Sequence, residues 1–186
     1  SKEETIEKRV EELKRENDEK VERIKREIED LIRRNKELLE RIKKEVRELL
    51  KELKDRAEKK GTSEDERRKL EDMERRIREK ERKSEEDHRR EEERLREETK
   101  RSEDRTRDLK RKIEEDERRL KKKDGKDREL DKALEDIERR IREHNKELDD
   151  ELRKVREDSR RHLEKLKREL EEIREEARRI TEELKK

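Results

Sequence analysis

Residues 21–39 read VERIKREIEDLIRRNKELL, and the spacing of Val21, Ile24, Ile28, Leu31, Asn35 and Leu39 decides the fold. Intervals of three and four put these side chains on one face of an α-helix, and everything between them is charged or lies beside the stripe. The same spacing precedes the segment in Ile6, Val10, Leu13 and Asn17, and follows it in Ile42, Val46, Leu49, Leu53 and Ala57. The sets form an 18-residue repeat, as in Ile6, Ile24 and Ile42. Five stripe positions in each repeat give a period of 3.6, that of a straight helix, whereas a heptad period of 3.5 would wind helices into a left-handed supercoil.

The repeat returns near the other end of the chain as Leu130, Leu134, Ile137, Ile141, His144, then Leu148, Leu152, Val155, Ser159, His162, then Leu166, Leu170, Ile173, Ala177, Ile180, with Leu184 opening a fourth set. Between these regions it is thinner, carried by Leu70, Met73, Ile77, Leu95, Leu109, Ile113 and Leu120, with Glu81, Glu91 and Glu117 at other stripe positions. Long Glu stems can lie along a stripe's edge and still reach solvent.

Composition agrees with long helices and excludes a thick core. Of the 186 residues, 70% are charged and 20% hydrophobic, and Pro, Phe, Tyr, Trp, Cys and Gln are all absent. Such a chain would be expected to be disordered were it not for the periodic stripe. Nothing but two glycines interrupts a run of good helix formers. Without cysteine there is no disulfide, thiol chemistry or thiolate metal site, and without aromatic rings there is no platform for stacking bases.

Two breaks divide the chain, Gly61-Thr62-Ser63 and Gly125-Lys126-Asp127, each pairing a residue suited to end a helix with one suited to start the next. Ser63 with Glu66 and Ser1 with Glu4 have the spacing of a capping box. We therefore expect a single domain over 1–186 with helices over about 2–60, 64–123 and 128–185, each about 85 to 90 Å long. Turns this short make neighbours antiparallel. The predicted fold is all-α, a long, straight antiparallel three-helix rod.

Away from caps and turns the helices hold thirteen Ser, Thr, Asn and His residues, and ten lie on the stripe: Asn17, Asn35, Ser84, His88, Thr99, Ser102, Thr106, His144, Ser159 and His162. Chance would place about four there, so polar groups are concentrated in the predicted core. Antiparallel folding pairs residue numbers adding to about 124 across the first turn and about 252 across the second. That brings Asn17, Thr106 and His144 into one layer and Asn35, His88 and His162 into another, with Ser159 one turn away. A buried amide or imidazole is costly unless hydrogen-bonded, so such layers favour one register over its alternatives.

The same residues suggest other chemistry. His88, His162 and Glu91 could supply two imidazoles and a carboxylate to a zinc ion, but the paired Glu-x-x-His of di-metal bundles is missing, since Ile141 and Ser159 precede His144 and His162 by three. No cofactor is expected. Ser84 with His88, and Ser159 with His162, have helical spacing for a hydroxyl beside an imidazole, yet no glycine-rich loop accompanies them to stabilise an oxyanion, so no enzyme activity is expected. Lys and Arg number 66 against 64 acidic residues, interleaved throughout, which leaves no uncompensated basic face for nucleic acid. No apolar run approaches a membrane span or a secretory signal. The chain is expected to be soluble and untargeted, suited to cytoplasmic recombinant expression, with no required partner. Ile32, Leu38, Leu50 and Leu163 widen the apolar faces and leave room for self-association.

With its long repeat, glycine turns, capping boxes and polar layers, the chain resembles de novo designed, parametrically generated untwisted three-helix bundles with buried hydrogen-bond networks. That resemblance implies a scaffold without natural activity. Some such bundles respond to acid through histidine layers, so a pH-responsive assembly is the alternative expectation, and a His/Glu metal-binding bundle the next.

Overall fold

A computed structural model of the chain describes residues 2–122 and 127–185, with the side chains of 120–122, 127, 184 and 185 excepted. The second break at Gly125-Lys126, the Ser1 capping box, and the stripe side chains of Leu120 and Leu184 lie outside what it describes. The chain is all-α, a three-helix bundle of α1 (Lys2–Lys60), α2 (Glu64–Lys122) and α3 (Asp127–Lys185), each 59 residues. Acidic first turns at Glu3, Glu4, Glu64, Asp65 and Glu66 and a basic last turn at Lys59 and Lys60 complement the helix dipoles. Gly61 ends α1 with φ of 67°, a left-handed conformation that other residues adopt at a cost. The Ser63 hydroxyl then accepts from the Glu66 amide at 3.3 Å, which caps α2.

Contacts divide the chain into two compact units. Unit 1 combines residues up to 30 with 94–156, and unit 2 combines 31–93 with the chain from 157 onward. Each has its own apolar core. In unit 1 it is built from Ile6, Val10 and Leu13 of α1, Leu109 and Ile113 of α2, and Leu130, Ile137 and Ile141 of α3. In unit 2 Leu39, Ile42, Val46 and Leu53 meet Met73 and Ile77 and then Leu166, Leu170, Ile173 and Ala177. These are stripe residues throughout.

Flanking ion pairs record the helix register. Within unit 1, Lys2–Asp131, Arg9–Glu138 and Lys20–Asp149 are all 129 residues apart, so α1 and α3 run parallel. Asp18–Lys110 and Lys25–Glu103 each add to 128, so α1 and α2 run antiparallel. Unit 2 repeats the second value in Lys43–Glu85 and Lys54–Glu74, and Asp87–Lys165 and Arg76–Glu176 add to 252 across α2 and α3. The α1–α2 value exceeds the expected 124 by about one helical turn, whereas across α2 and α3 the two pairs just named stand at the expected 252 and Asp116–Arg140 at 256.

Several apolar positions differ from the stripe as read, the stripe residues Leu49, Leu70, Leu134, Leu152 and Ile180 being only half-buried. Ile32 is buried and Leu31 half-buried. Leu38 and Leu50 pack half-buried against unit 2's core, and Leu163 is half-buried. Among the described residues no large hydrophobic side chain is exposed. Among the same residues no helix is long and apolar enough to cross a membrane.

Candidate functional site

The polar stripe residues are placed inside the units. Asn17, Asn35, Ser84, His88, Ser102, Thr106, His144, Ser159 and His162 are buried, and Thr99 is half-buried. Each unit bonds its own set.

In unit 1, Thr106 and His144 join α2 to α3, with Thr106 Oγ1 3.0 Å from His144 Nε2. The Thr106 hydroxyl gives its only proton to the Ser102 carbonyl at 2.8 Å. Its oxygen therefore accepts, and His144 carries a proton on Nε2. Asn17 does not bond to this pair: its Nδ2 donates to Asn145 Oδ1 at 2.8 Å, joining α1 to α3. Ser102 Oγ donates to Glu151 Oε2 at 3.1 Å, and Thr99 donates back to the Leu95 carbonyl at 3.1 Å.

In unit 2, His88 Nδ1 faces His162 Nε2 at 3.4 Å, with the rings stacked at 5.6 Å between centroids and 27° between planes. Asn35 Nδ2 donates to Ser159 Oγ at 3.2 Å, and Ser84 donates to Glu169. Asn35 Oδ1 and His88 Nε2 are buried without a hydrogen-bond partner, against one such atom, Glu151 Oε1, in the unit 1 network, so this network is the less complete of the two.

All three imidazoles have their pKa lowered by burial, which disfavours the charged form. Carboxylates oppose this in part: Glu92 and Glu91 at His88, Glu147 at His144, and Glu91 and Asp87 at His162. The acidic residues on the α2 stripe behave differently from one another. Glu117 pairs with Lys14 at 2.9 Å. Glu81 is half-buried, and its carboxyl is pushed above the ordinary range by desolvation and by Glu85. Glu91 is half-buried, and its charge bears on both unit 2 imidazoles.

His88, His162 and Glu91 do not assemble a three-ligand metal site, because among the described residues no group of three or more His, Asp or Glu side chains is disposed to hold an ion. The candidate nucleophilic hydroxyls are engaged elsewhere, Ser84 with Glu169 and Ser159 with Asn35. Three participants do not follow from the stripe: Asn145, Glu151 and Glu169. A signal for the two carboxylates is present in the sequence, since Glu151 and Glu169 stand one repeat apart, as do Ser84 and Ser102.

Compared with protein-family models, with curated proteins and with solved structures, the chain matches none.

Proposed function

We propose that this chain is a structural scaffold of designed origin, whose helix register and pairing are specified by its buried polar layers rather than by any substrate. The observation carrying this reading is the recurrence, at positions one repeat apart, of amide, imidazole and hydroxyl groups bonded across helices: Asn17 and Thr106–His144 in unit 1, Asn35–Ser159 and His88–His162 in unit 2. A shifted register separates these partners and leaves several polar groups buried without bonds, at about 1–3 kcal/mol each. The test replaces Asn17, Asn35, His88, Thr106, His144, Ser159 and His162 together by Leu, Ile or Val. The expected product keeps its helix content and resists denaturant at least as well, but loses a unique state, giving several species by light scattering and poorly dispersed amide NMR signals. A single species with unchanged inter-helix distances between paired spin labels would overturn the reading.

A second reading, response to acid, is favoured by one observation: all three histidines are buried with lowered pKa. The unfolded chain then binds protons at about the ordinary value of 6.5, while the folded chain binds them only at lower pH. Stability is thus intact above about pH 6.5 and falls as pH drops below it toward the folded values. Denaturant midpoints at pH 7.5 and 4.5 are expected to differ, lower in acid, and equal midpoints would reject this reading. Solution mass at the two pH values reports whether assembly changes as well.

A further inference from the structure

Unit 2 places two imidazoles nitrogen to nitrogen, His88 Nδ1 against His162 Nε2 at 3.4 Å. That contact has room for one proton. Either nitrogen can donate to the other, but two N–H groups cannot point at each other. The neutral pair carries two protons in all, one between the rings and one outside. A third proton goes to an outer nitrogen and leaves the shared hydrogen bond in place, now charge-assisted between an imidazolium and an imidazole. A fourth requires N–H at both facing nitrogens and adds a second positive charge on a ring 5.6 Å away. The contact then turns repulsive.

The surrounding charges oppose one another at this pair. On α2, Glu91, Glu92 and Asp87 favour positive imidazoles, while Lys36 and Lys43 of α1 and Lys165 of α3 oppose them. Lys43 pairs with Glu85 at 2.5 Å and Lys165 with Asp87 at 2.8 Å, which sets Glu91 and Glu92 against Lys36, a net single negative charge facing the two positive charges of a doubly protonated pair. Unit 1 lacks this arrangement. Thr106 stands one repeat after His88, and His144 one repeat before His162, and Thr106 has no charge to gain.

We propose that the His88–His162 pair is the acid-sensing element of unit 2, holding one added proton with its α2–α3 contact intact and releasing that contact on the second, whereas His144 of unit 1 titrates in a single step. This rests on the acid-response reading and says where and in how many steps the response occurs.

The native chain tests it directly. Because Phe, Tyr and Trp are absent, the carbon-bound protons of the three imidazoles are the only such aromatic signals in a proton NMR spectrum. Two imidazoles are expected to titrate in linked steps separated by more than about one pH unit, and the third as a single site. Amide protection across 31–93 and 157–185 should be lost at the second step. His88→Thr copies the unit 1 pair, since the Ser84 carbonyl stands to position 88 as the Ser102 carbonyl does to Thr106. It should abolish the second step, and Thr106→His should install one in unit 1. Three independent single-site curves, or an acid midpoint unchanged by His88→Thr, would overturn the assignment. If denaturant midpoints at pH 7.5 and 4.5 are equal as well, the acid-response reading fails with it. If protection is lost in one step shared by both units, only the role of the pair fails.

Discussion

Unit 1 and unit 2 solve one problem in two ways. Each places an amide on the α1 stripe, Asn17 in one and Asn35 one repeat later in the other. In unit 2 the acceptor is Ser159, itself on the α3 stripe and 1% exposed, and Leu163 flanks it. In unit 1 the corresponding α3 positions are exchanged in character: Ile141 takes the core place, and the acceptor moves to the half-buried flank as Asn145. The amide is the constant feature and its acceptor is movable, provided an apolar residue fills the position the acceptor leaves. The two solutions differ in completeness. A serine hydroxyl can take the Asn35 amide proton, but the Asn35 carbonyl oxygen stays buried without a donor.

The comparison is broken most severely through the apolar residues, which it treats as equivalent. Ile77 and Ile113 lie two repeats apart on α2, 0% and 1% exposed, in the cores of unit 2 and unit 1. Either one truncated to Ala should cost about 3 kcal/mol, from lost burial and the cavity left behind. If the cores are interchangeable, the two losses measured by denaturant unfolding agree within about 1 kcal/mol. A twofold disagreement would show that the units differ in packing as well as in their polar groups.

The helices and their faces were legible because helix formation and a 3.6-residue stripe are local properties. The ends at Lys60 and Glu64 follow from Gly61 and Ser63, and the α2–α3 register near 252 follows from the brevity of the second connection. The partners within the layers were less legible. Asn145, Glu151 and Glu169 each sit next to a stripe position, and periodicity alone assigns such residues to the flank. Whether a flanking side chain turns inward depends on its reach and on an unmet donor opposite. Ser102 and Ser84 supply such donors to the two carboxylates, and Asn17 supplies one to Asn145. Leu31 and Ile32 were ambiguous for a related reason, since adjacent apolar residues at a stripe's edge compete for the core and only helix rotation decides between them.

A smaller effect separates the two acceptors. Ser159→Ala removes the hydrogen-bond acceptor of an amide that is 1% exposed and whose oxygen already lacks a partner. The cost should be about 2 kcal/mol, the desolvation of an unmet donor. Asn145→Ala also deprives a buried amide, Asn17 at 2% exposed, but the acceptor it removes is half-buried, so its truncation lets water reach the freed donor, and it should cost about 1 kcal/mol. Equal losses in denaturant melts would mean that burial of the acceptor does not distinguish the two solutions.

The smallest effect concerns Glu81 and Thr99, one repeat apart on α2 and both half-buried. Thr99 places its hydroxyl on the Leu95 carbonyl, so its polarity is met within its own helix. Glu81 is desolvated and repelled by Glu85, with Arg47, Lys43 and Arg78 compensating only in part. Glu81→Leu should therefore stabilise the protein at pH 7, by about 1 kcal/mol or less given partial burial of the new side chain, while Thr99→Leu should change little. The pH dependence checks the cause. A carboxyl whose pKa is raised on folding weakens the fold while it is charged, and that penalty fades as pH falls through the raised value toward the ordinary 4.5. The gain from Glu81→Leu, followed as the difference in denaturant midpoint, should shrink over that interval. A gain independent of pH would assign it to added apolar contact rather than to removal of a desolvated charge.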